Sequence, residues 1–383
     1  MSVTAAQGFR AAGVTAGLKA SGNPDVALVV NEGPSKSAAA VFTSNRVAAA
    51  PVHWSRQAIS DGRADAVILN SGGANACTGA EGFQNTHRTA EKTADVLGIS
   101  AGDVLVCSTG LIGEQLPMDK LLPGVEAAAQ ALCADGGADA ATAIMTTDSV
   151  SKQAVFNGTG YTIGGMAKGA GMLAPGLATM LVVITTDAHI DPSALEMALR
   201  EACRVTFDRT DSDGCMSTND TVVLMASGAS GAVPDLAEFS RGLTVLCSNL
   251  ARQLITDAEG ASHDIAVTTI NAHSERDAET VSRAVARSNL FKTAIFGKDP
   301  NWGRVLSAVG TTDAVFEPEN LNVTMNGIQV CRNGGVGDPR DQVNLEGRDV
   351  VVVIDLNAGT ESATIWTNDL THDYVHENSA YSS

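Results

Sequence analysis

The stretch Lys168-Gly169-Ala170-Gly171-Met172-Leu173-Ala174-Pro175-Gly176-Leu177-Ala178-Thr179-Met180-Leu181-Val182-Val183-Ile184 joins a glycine-rich segment to an unbroken apolar run. Pro175-Gly176 marks a turn, and Met180–Ile184 has the length and β-branched content of a buried strand. Thr179 therefore stands where a loop meets a rigid strand. A threonine hydroxyl is a weak nucleophile until a base takes its proton, and one solution is its own α-amine, exposed when the preceding peptide bond breaks. With an unperturbed pKa of about 8, that amine titrates close enough to neutrality to serve as the base. Taken alone, the same pattern is what a β-branched residue at the start of any strand produces.

Outward from this junction, apolar runs predict strands at Val26–Val30, Ala38–Phe42, Ala66–Leu69, Val104–Val106, Thr221–Met225, Ile265–Ile270, Val323–Met325 and Val350–Ile354. Helical spacing is clearest after Asp191-Pro192, with Leu195, Ala198, Leu199 and Ala202 on one face. Gly82–Val96, Pro123–Cys133, Glu238–Asp257 and Asp277–Ser288 read as helices on similar grounds. Strands and helices alternate without a βαβ rhythm, which predicts mixed sheets packed against helices, an α/β fold of the α+β type, rather than a doubly wound parallel sheet. Gly164–Gly171 and Asn70–Gly79 are too glycine-rich for ordinary elements and read as loops able to wrap a ligand. The tail after Asn368 is expected to fray.

The chain has 383 residues, 44% of them hydrophobic and 18% charged, ample for an extensive core. A net charge of −18 repels phosphates and anionic lipid, so neither nucleic acid nor a membrane is an expected partner. The seven cysteines are widely spaced and form no C-x-x-C pair, so no disulfide framework is expected; several lie in apolar surroundings, as at Cys107 and Cys247, where a thiol serves as a small buried hydrophobe in a reducing compartment. No leader-like segment precedes Lys19 and no apolar run is long enough to span a bilayer, so a cytoplasmic protein is expected. His372 and His376 are spaced as one helical turn, but the segment fits a strand equally well and no H-E-x-x-H pattern exists; no metal site is expected. Neither phosphate-binding glycine motif occurs.

Lys-Gly-x-Gly-Met-x-x-Pro-x-x-Ala-Thr-Met-Leu, as it stands at 168–181, resembles the cleavage signature of the ornithine acetyltransferase (glutamate N-acetyltransferase) family, of the arginine biosynthesis bifunctional type. Nearly the whole chain is similar to that family. Matching stretches are Gly8–Gly13, Asn70–Gly79, Ser108–Gly113, Ala143–Asp148, Ser217–Asp220, Asp257–Gly260, Asp299–Arg304 and Glu377–Ser383. The resemblance implies a threonine-nucleophile fold that cuts itself between Ala178 and Thr179, giving chains 1–178 and 179–383, two of each in a heterotetramer. It further implies that Thr179 carries the acetyl group of N2-acetyl-L-ornithine to L-glutamate in a ping-pong cycle. No cofactor is expected, although acetyl-CoA is a candidate second donor.

Carried across by position, Thr109 and Gly110 are similar to the family's oxyanion-hole pair, a hydroxyl and an N–H aimed at developing negative charge. Without the resemblance, they read as a turn after a strand. Thr146, Lys168, Thr179, Glu259, Asn378 and Ser383 resemble the substrate-contacting positions. One departure is Ala261-Ser262-His263-Asp264, where His263 replaces the lysine usual after Glu259-Gly260. Two other functions stay open on the residues: a self-cleaving aminopeptidase or amidohydrolase, which delivers the same acyl group to water, and a non-catalytic binding protein.

Overall fold

The computed structural model describes residues 2–172 and 180–380. They fall into two compact units, one drawn from Met1–Asp208 and Cys215–Leu254, the other from Arg209–Gly214 and Ile255–Ser382. Fold class is as expected from the sequence: each unit is a mixed sheet architecture with helices packed on it.

In the first unit, strands Phe9–Val14, Val26–Asn31, Ala66–Asn70 and Val104–Ser108 form one sheet in that order. Its first two pairings are antiparallel and its last is parallel. A five-stranded sheet runs Ser37–Phe42, Thr221–Ala226, Leu181–Thr186, Thr162–Lys168, Lys152–Asn157. The two-residue period sorts the side chains between layers. Ala27, Val29, Val67, Leu69, Leu105 and Cys107 share a core with Met166, Leu181, Val183, Val223 and Met225 of the second sheet. The alternate residues Val26, Leu28, Ile68, Val104 and Val106 pack instead with Ala90, Ala94, Leu121 and Val125, from helices Gly79–Leu97 and Met118–Ala131. Burial on both faces explains why Leu181–Thr186 and Thr221–Ala226 read as continuous apolar runs and not as alternating ones.

Gly164 and Gly165 correct the sequence reading, because they lie inside strand Thr162–Lys168 and not in a loop. Their glycines serve close packing: a Cβ on Gly164 would stand 2.2 Å from the Ser2 carbonyl oxygen, and one on Gly165 about 3.0 Å from Leu250 of helix Leu236–Thr256. Four helix starts also move, the expected Glu238 giving way to Leu236 in Leu236–Thr256. Met118–Ala131 begins five residues before the expected Pro123, which its interior tolerates at the loss of one backbone hydrogen bond. Glu275–Ala286 begins two residues early because the Ser274 side chain accepts from the Asp277 N–H as an N-cap. Gly79–Leu97 begins three residues before the expected Gly82.

The second unit holds a six-stranded sheet in the order Gly335–Val336, Ile328–Arg332, Asn322–Met325, Asp349–Asp355, Asp264–Ala272, Glu361–Asn368. Helices Glu275–Ala286, Asn289–Phe296 and Trp302–Val309 supply Val281, Val285, Phe291, Ile295 and Val305 to its core. The expected frayed tail is instead a helix, His372–Ala380, up to the last described residue. Its first turn is tied down: Thr371 Oγ1 donates to the Gly260 carbonyl at 2.6 Å and accepts from the Tyr374 N–H at 2.9 Å. His372 and His376 therefore lie on a helix, and no cluster of three or more potential metal ligands occurs among the described residues. All seven thiols are free, and burial pushes that of Cys107 up to about 12. Among the described residues, no helix is long and apolar enough to cross a membrane.

Candidate active site

Thr109 follows strand Val104–Ser108 and is buried. Its N–H donates to the Asn70 carbonyl at 2.9 Å, and its own carbonyl accepts from the Gly73 N–H at 3.0 Å. The glycine-rich loop after Asn70 is thereby laid against the Thr109 backbone. Gly110 has φ +134°, and a Cβ there would stand 2.7 Å from the Gly73 nitrogen, so position 110 admits only glycine.

Lys168 ends strand Thr162–Lys168 and is 2% exposed. Its Nζ donates to Thr109 Oγ1 at 3.3 Å. An oxygen that accepts from an ammonium keeps its own hydrogen for a further acceptor, and the nearby positive charge strengthens that donor. Lys168 pairs across the sheet with Leu181, two residues beyond Thr179 in the chain. The expected cut would therefore fall between two adjacent strands of one sheet. Ala178 and Thr179, the expected cleavage pair and nucleophile, lie outside the described residues, as does Ser383.

Thr146 is half-buried in a turn held by Asp148, whose Oδ2 accepts from the Thr146 N–H at 2.9 Å. Asp148 Oδ1 accepts from Lys152 Nζ at 2.6 Å and from the Gly169 N–H at 2.7 Å. Burial alone would raise the Asp148 pKa, but Lys168, Lys152 and these hydrogen bonds hold it down at about 2. Lys19 reaches the same turn, donating to the Met145 carbonyl at 2.6 Å. Burial lowers its pKa, and the charge of Lys168 adds to the effect. Three ammonium groups, Lys19, Lys152 and Lys168, outnumber the two buried carboxylates they face, Asp148 and Asp25, and the excess positive charge is suited to a substrate carboxylate. Lys19 carries no motif by which the sequence reading could have found it, and Asp148 was noted only as part of a matching stretch.

Glu259 and Asn378 belong to the second unit. Glu259 is buried, and the following Gly260 has φ +62° with its hydrogen facing Tyr374, where a Cβ would stand 2.1 Å from the backbone nitrogen. Asn378 is exposed, and its Nδ2 donates to the Tyr374 carbonyl at 3.0 Å. The Glu259-Gly260 turn thus packs on the helix that carries Asn378. His263, the departure noted above, is accounted for by Asp369: Nδ1 lies 2.8 Å from Asp369 Oδ2, while Nε2 is 3.2 Å from the Leu345 carbonyl oxygen. Ser262 Oγ also donates to that carboxylate, so this Ser-His-Asp group is closed on itself and offers no activated hydroxyl.

A sequence model of the ArgJ family matches residues 10–383. The chain is 66% identical over the full length of both chains to a protein of Streptomyces coelicolor called arginine biosynthesis bifunctional protein ArgJ. It has the same identity and coverage with the protein of that name from Thermobifida fusca. Among solved structures, an ornithine acetyltransferase of Mycobacterium tuberculosis complexed with ornithine is 57% identical over 47% of this chain and 96% of that one, with a TM-score of 0.45.

Proposed function

Because the chain belongs to the ArgJ family, we propose that it is the acetyltransferase of arginine biosynthesis that moves the acetyl group of N2-acetyl-L-ornithine to L-glutamate. Thr179, freed by a cut after Ala178, attacks the acetyl carbonyl with its own α-amine as base, and ornithine leaves with its amine protonated. The glutamate amine then attacks the acetyl-threonine ester, which restores the hydroxyl. Thr109 Oγ1–H and the Gly110 N–H stabilise the oxyanion of both steps. Lys168, Thr146, Glu259, Asn378 and Ser383 are the substrate-binding residues of this reading, as their resemblance to the family's substrate-contacting positions implies.

The observation that supports this most is the hydrogen bond between Lys168 and Thr109, which brings a predicted carboxylate binder to a predicted oxyanion donor. Acetyl-CoA as a second donor belongs to the same proposal, and the relatives' description as bifunctional is in keeping with it. So do a heterotetramer of two cleaved precursors and a cytoplasmic location.

The test is ornithine release from N2-acetyl-L-ornithine with and without L-glutamate. Transfer predicts glutamate-dependent release with one N-acetylglutamate formed per ornithine. Equal release without glutamate, with free acetate as product, would make the enzyme a hydrolase instead.

A further inference from the structure

The tetrapeptide Ser217-Thr218-Asn219-Asp220 has no role in the reaction as described, yet it touches both halves of the site. Asn219 is buried, and its Nδ2 donates to the Ala74 carbonyl at 2.6 Å and to the Ser108 carbonyl at 2.8 Å. The second of these belongs to the peptide unit whose nitrogen is that of Thr109. Thr218 Oγ1 donates to Asn219 Oδ1 at 2.6 Å, which fixes the orientation of the carboxamide. The next residue, Asp220, is fully buried, and its Oδ1 accepts from the Met180 N–H at 3.1 Å. That N–H belongs to the peptide unit joining residues 179 and 180. The Met180 carbonyl accepts from the Thr221 N–H, also at 3.1 Å. Asp220 Oδ2 is buried with no hydrogen-bond partner among the described residues.

We propose that Asn219 and Asp220 are positioning residues of the acyl-transfer centre, one holding the Thr109-Gly110 backbone and the other the peptide unit that follows Thr179. The proposal rests on the reading of Thr179 as nucleophile. Two adjacent residues on one rigid strand entry clamp chain segments 111 and 40 residues away from them. They keep hydroxyl and oxyanion donors in register when the backbone between Ala178 and Thr179 is cut and no longer does so. Burial pushes the Asp220 carboxyl well above the usual carboxylate range, against the Met180 amide and the charge of Lys168. Towards the Met180 N–H the carboxyl acts through a single acceptor oxygen, Oδ1, which a carboxamide oxygen can replace.

This makes the asparagine variant the deciding one. D220A, D220N, N219A and T179A are compared with wild type for the rate of cleavage before residue 179 by mass spectrometry. The cleaved protein is then assayed for kcat and KM on N2-acetyl-L-ornithine. D220A is expected to slow cleavage about tenfold or more, and D220N to restore it to within about threefold of wild type with the same pH profile. N219A is expected to lower kcat of the cleaved enzyme about tenfold or more while KM changes less than about twofold. Cleavage by D220A at the wild-type rate, or D220N as slow as D220A, overturns the proposal, as does an N219A variant changed only in KM. The D220A and D220N pair decides the matter even if N219A does not accumulate folded. Wild-type enzyme that transfers acetyl groups uncut would defeat the nucleophile reading itself; cut wild type with indifferent variants defeats only the clamp.

Discussion

Lys168 Nζ stands 3.3 Å from Thr109 Oγ1, although the two residues are 59 positions apart and come from different sheets of the first unit. The contact joins a buried cation to the hydroxyl proposed to meet the oxyanion. It also gives each residue a consequence that kinetics can read.

Removing the hydroxyl in Thr109→Ala or Thr109→Val should lower kcat on the order of a hundredfold or more with little change in KM, since an oxyanion donor acts mainly in the transition state. A raised KM at unchanged kcat would make Thr109 a ground-state binder.

Purified wild type should consist of fragments 1–178 and 179–383, roughly 18 and 21 kDa by proportion of length, whereas Thr179→Ala should run as one chain. Denaturing gel and intact mass suffice. An uncut wild type with full activity would rule out the α-amine as base.

Acid stability should depend on Asp148. Its folded pKa of about 2 lies below the ordinary carboxylate value of 3.8, so it stabilises the fold above pH ~4, and that contribution is lost as pH falls from there toward 2. The shift corresponds to about 2 kcal/mol. Lys152→Met removes one of the charges that depress it, so acid unfolding followed by circular dichroism should move to higher pH. An unchanged acid midpoint would mean that the Asp148–Lys152 pair is not what sets it.

Deleting Glu377–Ser383 should leave cleavage before Thr179 intact and sharply reduce acetyl transfer to glutamate. Helix His372–Ala380 buries none of its described residues, so truncating it should cost little stability. Cleavage needs the junction and the Thr109 region, while transfer also needs an oriented acceptor and exclusion of water. A truncated enzyme that transfers at the wild-type rate would remove Asn378 and Ser383 from the substrate.

The strands Val26–Asn31, Leu181–Thr186 and Thr221–Ala226 were legible in the sequence because each is an apolar run buried on both faces, a signal that depends only on local composition. The expectations for Thr109, Gly110, Lys168 and Thr179 came from the resemblance of local motifs, and of these the structure brings Lys168 to Thr109. The tertiary structure alone decided that Gly164 and Gly165 belong in a strand, because what requires glycine there is Ser2 and Leu250, distant in the chain. It likewise decided the helix at His372–Ala380, whose weak internal pattern is offset by the Thr371 and Gly260 contacts at its first turn. Asp148, Lys19, Asn219 and Asp220 could be placed about the site only by folding. Each acts through a hydrogen bond to a backbone group, and such a bond leaves no periodicity in the sequence because its partner is chosen by the packing of whole sheets.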